Sequence, residues 1–287
     1  MSDRIDSLYF CKDGRYDLDN VKITDNFLFT EVFSNKNLLK RFLEIFLNIK
    51  DVDISSISRE YVIYDLDNSK DVRLDLFAED KDTVYNIEIQ TSNTYDLPRR
   101  TRYYQSKIDR KYLHKGDKTY NKLLKSFIIF ICTFNPFRES INQPIYVFEN
   151  MCVANNNSII KLNDQTYKVF INSQCDIKQV QDNNIKAFVE LINDGFISKT
   201  KTTFIDDVIN EANRLRENGK WRSDYMTIMQ EYAKEYAKEY ADKVLNQERI
   251  DIATKMLKMD VNDDIILNCS NLTQSQLEEI KNSLKNM

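Results

Sequence analysis

Hydrophobic positions along this chain recur first at helical and then at strand spacing. Residues 1–20 are polar and unpatterned, after which Thr24 or Asp25 is placed to cap a short helix running through Phe33. Asn35 opens a second helix, and its Leu38, Leu39, Phe42, Leu43 and Phe46 fall on one face. Residues 61–66, 72–78 and 84–90 read as strands separated by Asp, Asn, Ser and Lys clusters that suit turns, which predicts a meander. Pro98 stands in the first turn of a long helix reaching about Leu113, with Tyr104, Ile108 and Tyr112 turned toward a sheet. The dense apolar run 127–134 suits a buried central strand. Residues 145–154, 159–162 and 167–171 supply further strands, with a turn at 155–157.

From about Ile177 strand signals vanish. Apolar residues take helical spacing in 185–192 and 204–215, and a long charged stretch follows over 221–258. Within it EYAKEYAKEY repeats a four-residue unit that puts Tyr232, Tyr236 and Tyr240 in one slowly drifting row. The plain reading of that repeat is an exposed helical spacer or a loose helix-pairing surface. Residues 261–284 predict two small helices, with Asn271 near their connection and Thr273 as a cap. The expected organisation is a leader over 1–20, an α/β domain over 21–200 built on a mixed sheet flanked by helices, and a helical region over 201–287.

Composition narrows the chemistry. The four glycines, Gly14, Gly116, Gly195 and Gly219, stand too far apart for a dinucleotide turn or a phosphate loop, so no nucleotide cofactor is expected. A single imidazole, His114, excludes any two-histidine zinc site, and it lies in a charged run that reads as surface. The cysteines at 11, 132, 152, 175 and 269 are odd in number and form no CxxC pair. Together with an N-terminus lacking a charged-then-apolar pattern, they suggest a reducing cytoplasmic setting. Residues 127–134 are far shorter than the ~20 residues that span a bilayer, so no membrane association is expected. The net charge of −4 hides an asymmetry: residues 97–125 carry ten Lys or Arg against two Asp, a local +8, and the remainder carries −12.

The most informative segment joins Val72-Arg73-Leu74-Asp75-Leu76-Phe77 to Val84-Tyr85-Asn86-Ile87-Glu88-Ile89-Gln90 across a charged turn at 79–82. Paired antiparallel with Leu74 facing Ile87, these strands share a buried face of Leu74, Leu76, Ile87 and Ile89. Asp75 then stands opposite Asn86, with Glu88 its diagonal neighbour and Gln90 next on the non-core face. Two converging carboxylates repel unless a cation joins them, and hard oxygen donors select Mg²⁺ or Mn²⁺. Alternating apolar and acidic residues equally describe an ordinary half-solvated hairpin. On the following helix Arg100, Tyr103, Lys107, Arg110 and His114 form a stripe, which is either a plain solvated face or a cationic surface beside the acids. An acidic metal pocket next to such a stripe suits phosphodiester chemistry, the cation polarising a phosphoryl oxygen while Arg and Lys hold backbone phosphates.

These residues, taken in order, resemble the PD-(D/E)XK nuclease superfamily, and more closely its bacterial Rpn branch of recombination-promoting nucleases, also described as transposases. The resemblance runs through Phe27-Leu28-Phe29-Thr30-Glu31-Val32-Phe33 and Leu39-Lys40-Arg41-Phe42-Leu43 to Arg73-Leu74-Asp75-Leu76 and Ile87-Glu88-Ile89-Gln90. It continues through Arg100, Tyr104, Gly116 and Tyr120, and the segment 253–280 resembles that branch's short helical ending. It implies a restriction-endonuclease-like fold and Mg²⁺-dependent DNA cleavage, with Asp75, Glu88 and the carbonyl of Ile89 as metal ligands. Gln90 occupies the place where the superfamily usually has Lys, and a neutral amide orients water without supplying positive charge. Arg100 or Lys107 is the candidate for the missing charge, Tyr103 and Arg110 join them as candidate DNA contacts, and Glu31 and Tyr104 are further candidates. A homodimer is expected if both strands are cut, in recombination, transposition or defence. The rival reading is a catalytically weak protein that binds DNA or a partner on the same fold.

Overall fold

The computed structural model describes residues 17–63, 71–137, 142–153 and 159–285, so the strand residues expected at 64–66, Ala154 and the turn at 155–157 lie outside the described residues. The chain divides into two compact units, one running through Ser223 and the other from Asp224.

In the first unit, helices α1 (Asn26–Phe33) and α2 (Lys36–Leu47) precede strands β1 (Ser56–Ile63), β2 (Val72–Glu79) and β3 (Thr83–Gln90). The cap of α1 is Asp25, whose carboxylate accepts from Leu28 N at 3.0 Å, and Asn35 caps α2. Helix α3 (Leu97–Tyr112) then leads to β4 (Lys125–Cys132). Strands β5 (Ile145–Phe148), β6 (Met151–Val153), β7 (Ile159–Lys161) and β8 (Thr166–Asn172) follow. The expected run 145–154 is therefore two strands: β5 joins the main sheet, whereas β6 pairs with β7 in a separate hairpin. Helices α4 (Asn183–Asp194) and α5 (Thr203–Glu217) complete the packing, and α5 touches α1, α2 and α4. The first compact unit thus includes α5.

The main sheet is mixed, in the order β1-β2-β3-β4-β8-β5. The first three strands form the expected antiparallel meander, whereas β3–β4 and β4–β8 are parallel. Parallel neighbours need a crossover, and α3 is part of the one between β3 and β4. Leu97 and Ile108 of α3 pack with Ile128, Phe130 and Cys132 of β4 and with Phe170 of β8. A buried hydrogen bond from Ser126 Oγ to Gln105 Oε1, 2.8 Å long, pins the helix to β4. The alternate side chains Ile129, Ile131, Val169 and Ile171 are buried as well, so both faces of the sheet are covered. That is why residues 127–134 read as a continuous apolar run. Among the helices, Phe188 of α4 packs its ring against Phe33, Phe42 and Phe46.

The second unit contains most of α6 (Gly219–Lys258), with α7 (Asp263–Ser270) and α8 (Gln274–Lys285). Its core gathers Ala253, Ile266, Leu272 and Leu277. Asn271 ends α7 in the left-handed conformation, φ 52°, and Thr273 and Gln276 cap α8 reciprocally. Tyr236 and Tyr240 stack on each other along α6 and remain largely exposed. Among the described residues no helix is long and apolar enough to cross a membrane.

Glu79, at the end of β2, ties the meander to α3: it accepts from Lys111 Nζ at 2.8 Å, Tyr112 OH at 2.5 Å and Ser56 Oγ at 2.9 Å. Burial alone would push this carboxyl up, but the three hydrogen bonds and the Lys111 charge bring it below its ordinary 4.5. A depressed folded value contributes stability above 4.5 that is lost as pH falls through it. Denaturant unfolding of Glu79→Gln should show a loss of about 1 kcal/mol near neutrality. Its stability should also fall less steeply than the wild type's on acidification from about pH 6 to about pH 3.

Candidate active site

All eight positions of β3 are buried. This differs from the expected hairpin with one core face and one open face, because α3 covers the side that carries Asn86, Glu88 and Gln90. The register differs too. Leu76 faces Ile87 and Phe77 faces Asn86, where Leu74 and Asp75 were expected. The cause is the turn: Asp80 N donates to Thr83 O at 2.8 Å, centring it on Lys81 and Asp82, one residue later than the expected pairing requires. A shift of two residues in the pairing preserves which side chains share a face. It also moves Asp75 from the diagonal of Glu88 to its level.

The β2–β3 ladder stops at the Leu76–Ile87 pair. Just beyond it the Asp75 N–H turns to a side chain and donates to Glu88 Oε1 at 3.3 Å. Asp75 is 6% exposed and Glu88 2%. Burial, and then the adjacent Asp75 charge, push the Glu88 carboxyl well above the ordinary carboxylate range, with the Arg100 guanidinium opposing them. On the β4 side Gln90 O accepts from Thr133 N at 3.0 Å. Strand alternation therefore aims the Ile89 carbonyl toward β2, where the ladder has already ended.

Arg100 closes the site from α3. It donates from Nη1 to Gln90 Oε1 at 2.8 Å and from Nη2 to Tyr104 OH at 2.9 Å, and Nη2 lies 3.7 Å from Glu88 Oε2. The guanidinium also rests over the Tyr104 and Phe130 rings, 5.4 Å from each centroid. Burial and the Glu88 charge push the Tyr104 hydroxyl up to about 12, so it stays protonated and neutral.

The expected stripe on α3 does not form one solvated face. Lys107 is buried, its ammonium 5.0 Å from the Tyr103 ring centroid, whereas Arg110 is exposed. With its ammonium over an aromatic ring and its side chain withdrawn from solvent, Lys107 belongs to the helix packing. Tyr103 packs against the α3–sheet core. Glu31 forms an ion pair with Arg59 of β1. His114 is exposed, as its charged surroundings indicated.

Asn26 and Asn86 are polar residues of this site that sequence reasoning missed. Asn26, the first residue of α1, donates from Nδ2 to Asp75 Oδ1 at 3.0 Å. Asn86 is fully buried on the Glu88 face of β3. An amide flanked by Val84, Tyr85 and Ile87, two residues before the acid, was the legible signal for Asn86. Asn26 carried none, because the adjacent Asp25 accounts for the helix cap.

Among the described residues no group of three or more His, Cys, Asp or Glu gathers into a metal cluster. The donors available are two carboxylates and the Ile89 carbonyl. That set fits Mg²⁺ or Mn²⁺, since Mg²⁺ takes one or two carboxylates and keeps several waters. The buried Asn26 Oδ1 has no hydrogen-bond partner, which suits a site completed by water.

The family described as PD-(D/E)XK nuclease family transposase matches residues 24–193. The chain belongs to this family. The matched span contains the whole sheet, α3 and both acids, and the mixed sheet with flanking helices accords with a PD-(D/E)XK fold. Membership gives the protein a nuclease-like function. The tail resemblance over 253–280 falls beyond the matched span. No curated protein and no solved structure matches the chain.

In this nuclease-family site, removing Arg100 would leave Glu88 next to Asp75 without its cation. Arg100→Ala is expected to lower stability by roughly 1–3 kcal/mol. A carboxyl with a raised folded pKa contributes its stability below its unfolded value and loses it as pH rises, so the deficit should be larger at about pH 8 than at about pH 5. Thermal melts of the metal-free variant at both pH values measure this.

Proposed function

We propose that this protein is a Mg²⁺-dependent DNA endonuclease, with Mn²⁺ able to replace Mg²⁺. The observation that carries the reading is the meeting of Asp75 and Glu88 at the end of the β2–β3 ladder, with Arg100 joining Glu88 to Gln90. Asp75, Glu88 and the Ile89 carbonyl would hold the cation. When bound, it would polarise a phosphoryl oxygen and lower the pKa of a water. Gln90 orients the site through its amide, and Arg100 provides from α3 the charge that a lysine at position 90 would have carried. Arg100 is favoured over Lys107 because it touches both Gln90 and Tyr104.

The ten basic residues over 97–125 support a DNA backbone as the substrate, with Arg110 among the exposed cations. Tyr103 and Lys107 act behind that surface. Cutting both strands favours a homodimer, and the cysteine usage favours the cytoplasm. Recombination, transposition and defence all fit this activity. The second reading, a catalytically weak protein that binds DNA or a partner, rests on Gln90, whose amide oxygen is already held by Arg100.

Nicking of supercoiled plasmid tests the choice. Cleavage should require Mg²⁺, stop with a chelator, and fall at least about a hundredfold in Asp75→Ala and in Glu88→Ala. Plasmid binding with no nicking by the wild type would favour the second reading. Arg100→Ala should lose roughly 10–100-fold in rate at low salt, more than Lys107→Ala. Equal rates for wild type and Arg100→Ala would remove Arg100 from the chemistry.

A further inference from the structure

The amides around the acid pair are incompletely hydrogen-bonded. Among the described residues, Asn26 Oδ1, Asn86 Oδ1 and Ser92 Oγ are buried without a hydrogen-bond partner. Asn86 lies two residues before Glu88, Ser92 lies two residues beyond Gln90, and Asn26 bonds Asp75 directly. Buried polar atoms in native proteins are nearly always matched, so the unmatched oxygen of Asn26, whose amide nitrogen already bonds Asp75, marks a place that water or an ion completes.

Asn26 is the most sharply defined of them. Its backbone is set by the Asp25 cap at the start of α1, so helix initiation does not need its side chain. Its Nδ2 donates to Asp75 Oδ1 at 3.0 Å. The reverse amide orientation would set two oxygens against each other, so Asp75 itself fixes where Oδ1 points. The result is an acceptor held rigidly against a proposed metal ligand.

We infer that Asn26 is a positioning residue of the acid pair: its Nδ2 fixes the Asp75 carboxylate, and its Oδ1 accepts a hydrogen bond from a water on the divalent cation held there. This rests on the metal-dependent reading above. Mg²⁺ and Mn²⁺ retain waters whose protons need acceptors, and groups that orient metal ligands commonly change metal affinity 10–100-fold when removed.

Calorimetric titration of the purified full chain with Mn²⁺ tests the inference. Asn26→Ala should weaken Mn²⁺ binding about tenfold and lower kcat for nicking with little change in KM for DNA. Asn26→Asp restores an oxygen acceptor and adds charge. It should bind Mn²⁺ at least as tightly as the wild type, yet melt at a lower temperature in chelator, where a third carboxylate adjoins Asp75. Unchanged Mn²⁺ affinity in Asn26→Ala, alongside loss of Mn²⁺ binding in Asp75→Ala, would overturn the role of Asn26 and leave the metal reading standing. A wild-type chain that binds no Mn²⁺ would overturn the metal reading and this inference together. Should Asn26→Ala fail to fold, Asn26→Ser, whose shorter side chain gives up both contacts, decides: Mn²⁺ affinity equal to the wild type's overturns the assignment.

Discussion

A carboxylate taken almost wholly out of water beside a second carboxylate is the constraint that organises the first unit. Glu88 has lost its hydration, and Asp75 adds repulsion to that loss. The fold tolerates the pair because three elements supply compensation at once. The backbone of β2 lends an N–H, α1 lends the Asn26 amide, and α3 lends a guanidinium. Two of these contacts, from Asn26 and from Arg100, come from helices, so the electrostatics of two acids also fasten helices to the sheet.

The strands and α3 divide the work. Strand β3, paired to β4 along its whole length, fixes Glu88 and Gln90 rigidly, whereas the early end of the β2 ladder leaves Asp75 clear of regular pairing. Helix α3 brings charge from outside the sheet. Arg100 is held by a hydrogen bond to Gln90, a hydrogen bond to Tyr104 and two aromatic faces. A guanidinium anchored by so many contacts is a fixed part of the site, unlike a lysine on a flexible stem.

Much of this was legible in the residues because the relevant signals are local. Helix caps at Asp25 and Asn35, the apolar run of β4 and the Thr273 cap each depend on neighbours a few positions away. The side-chain alternation of β3 survived the register error, since a shift of two keeps each residue on its face, whereas Leu74 of β2, expected with Leu76, Ile87 and Ile89, gathers instead with Phe77, Leu97 and Ile108. What could not be read was tertiary. The burial of Lys107 depends on how Tyr103 lies against the sheet, the pairing of Glu31 on a strand some thirty residues later, and the role of Asn26 on the approach of α1 to β2. The separation of β5 from β6 likewise reflects which partner strand each finds, and spacing does not encode that choice.

A strand with no exposed position leaves little room for silent drift. Exchange of Tyr85 disturbs its stack with Phe127, and exchange of Ile87 opens a void between β2 and β4. Substitution along β3 is therefore least disruptive at its polar members, whose side chains also reach a neighbouring helix. Gln90 is such a position, its amide oxygen held by Arg100.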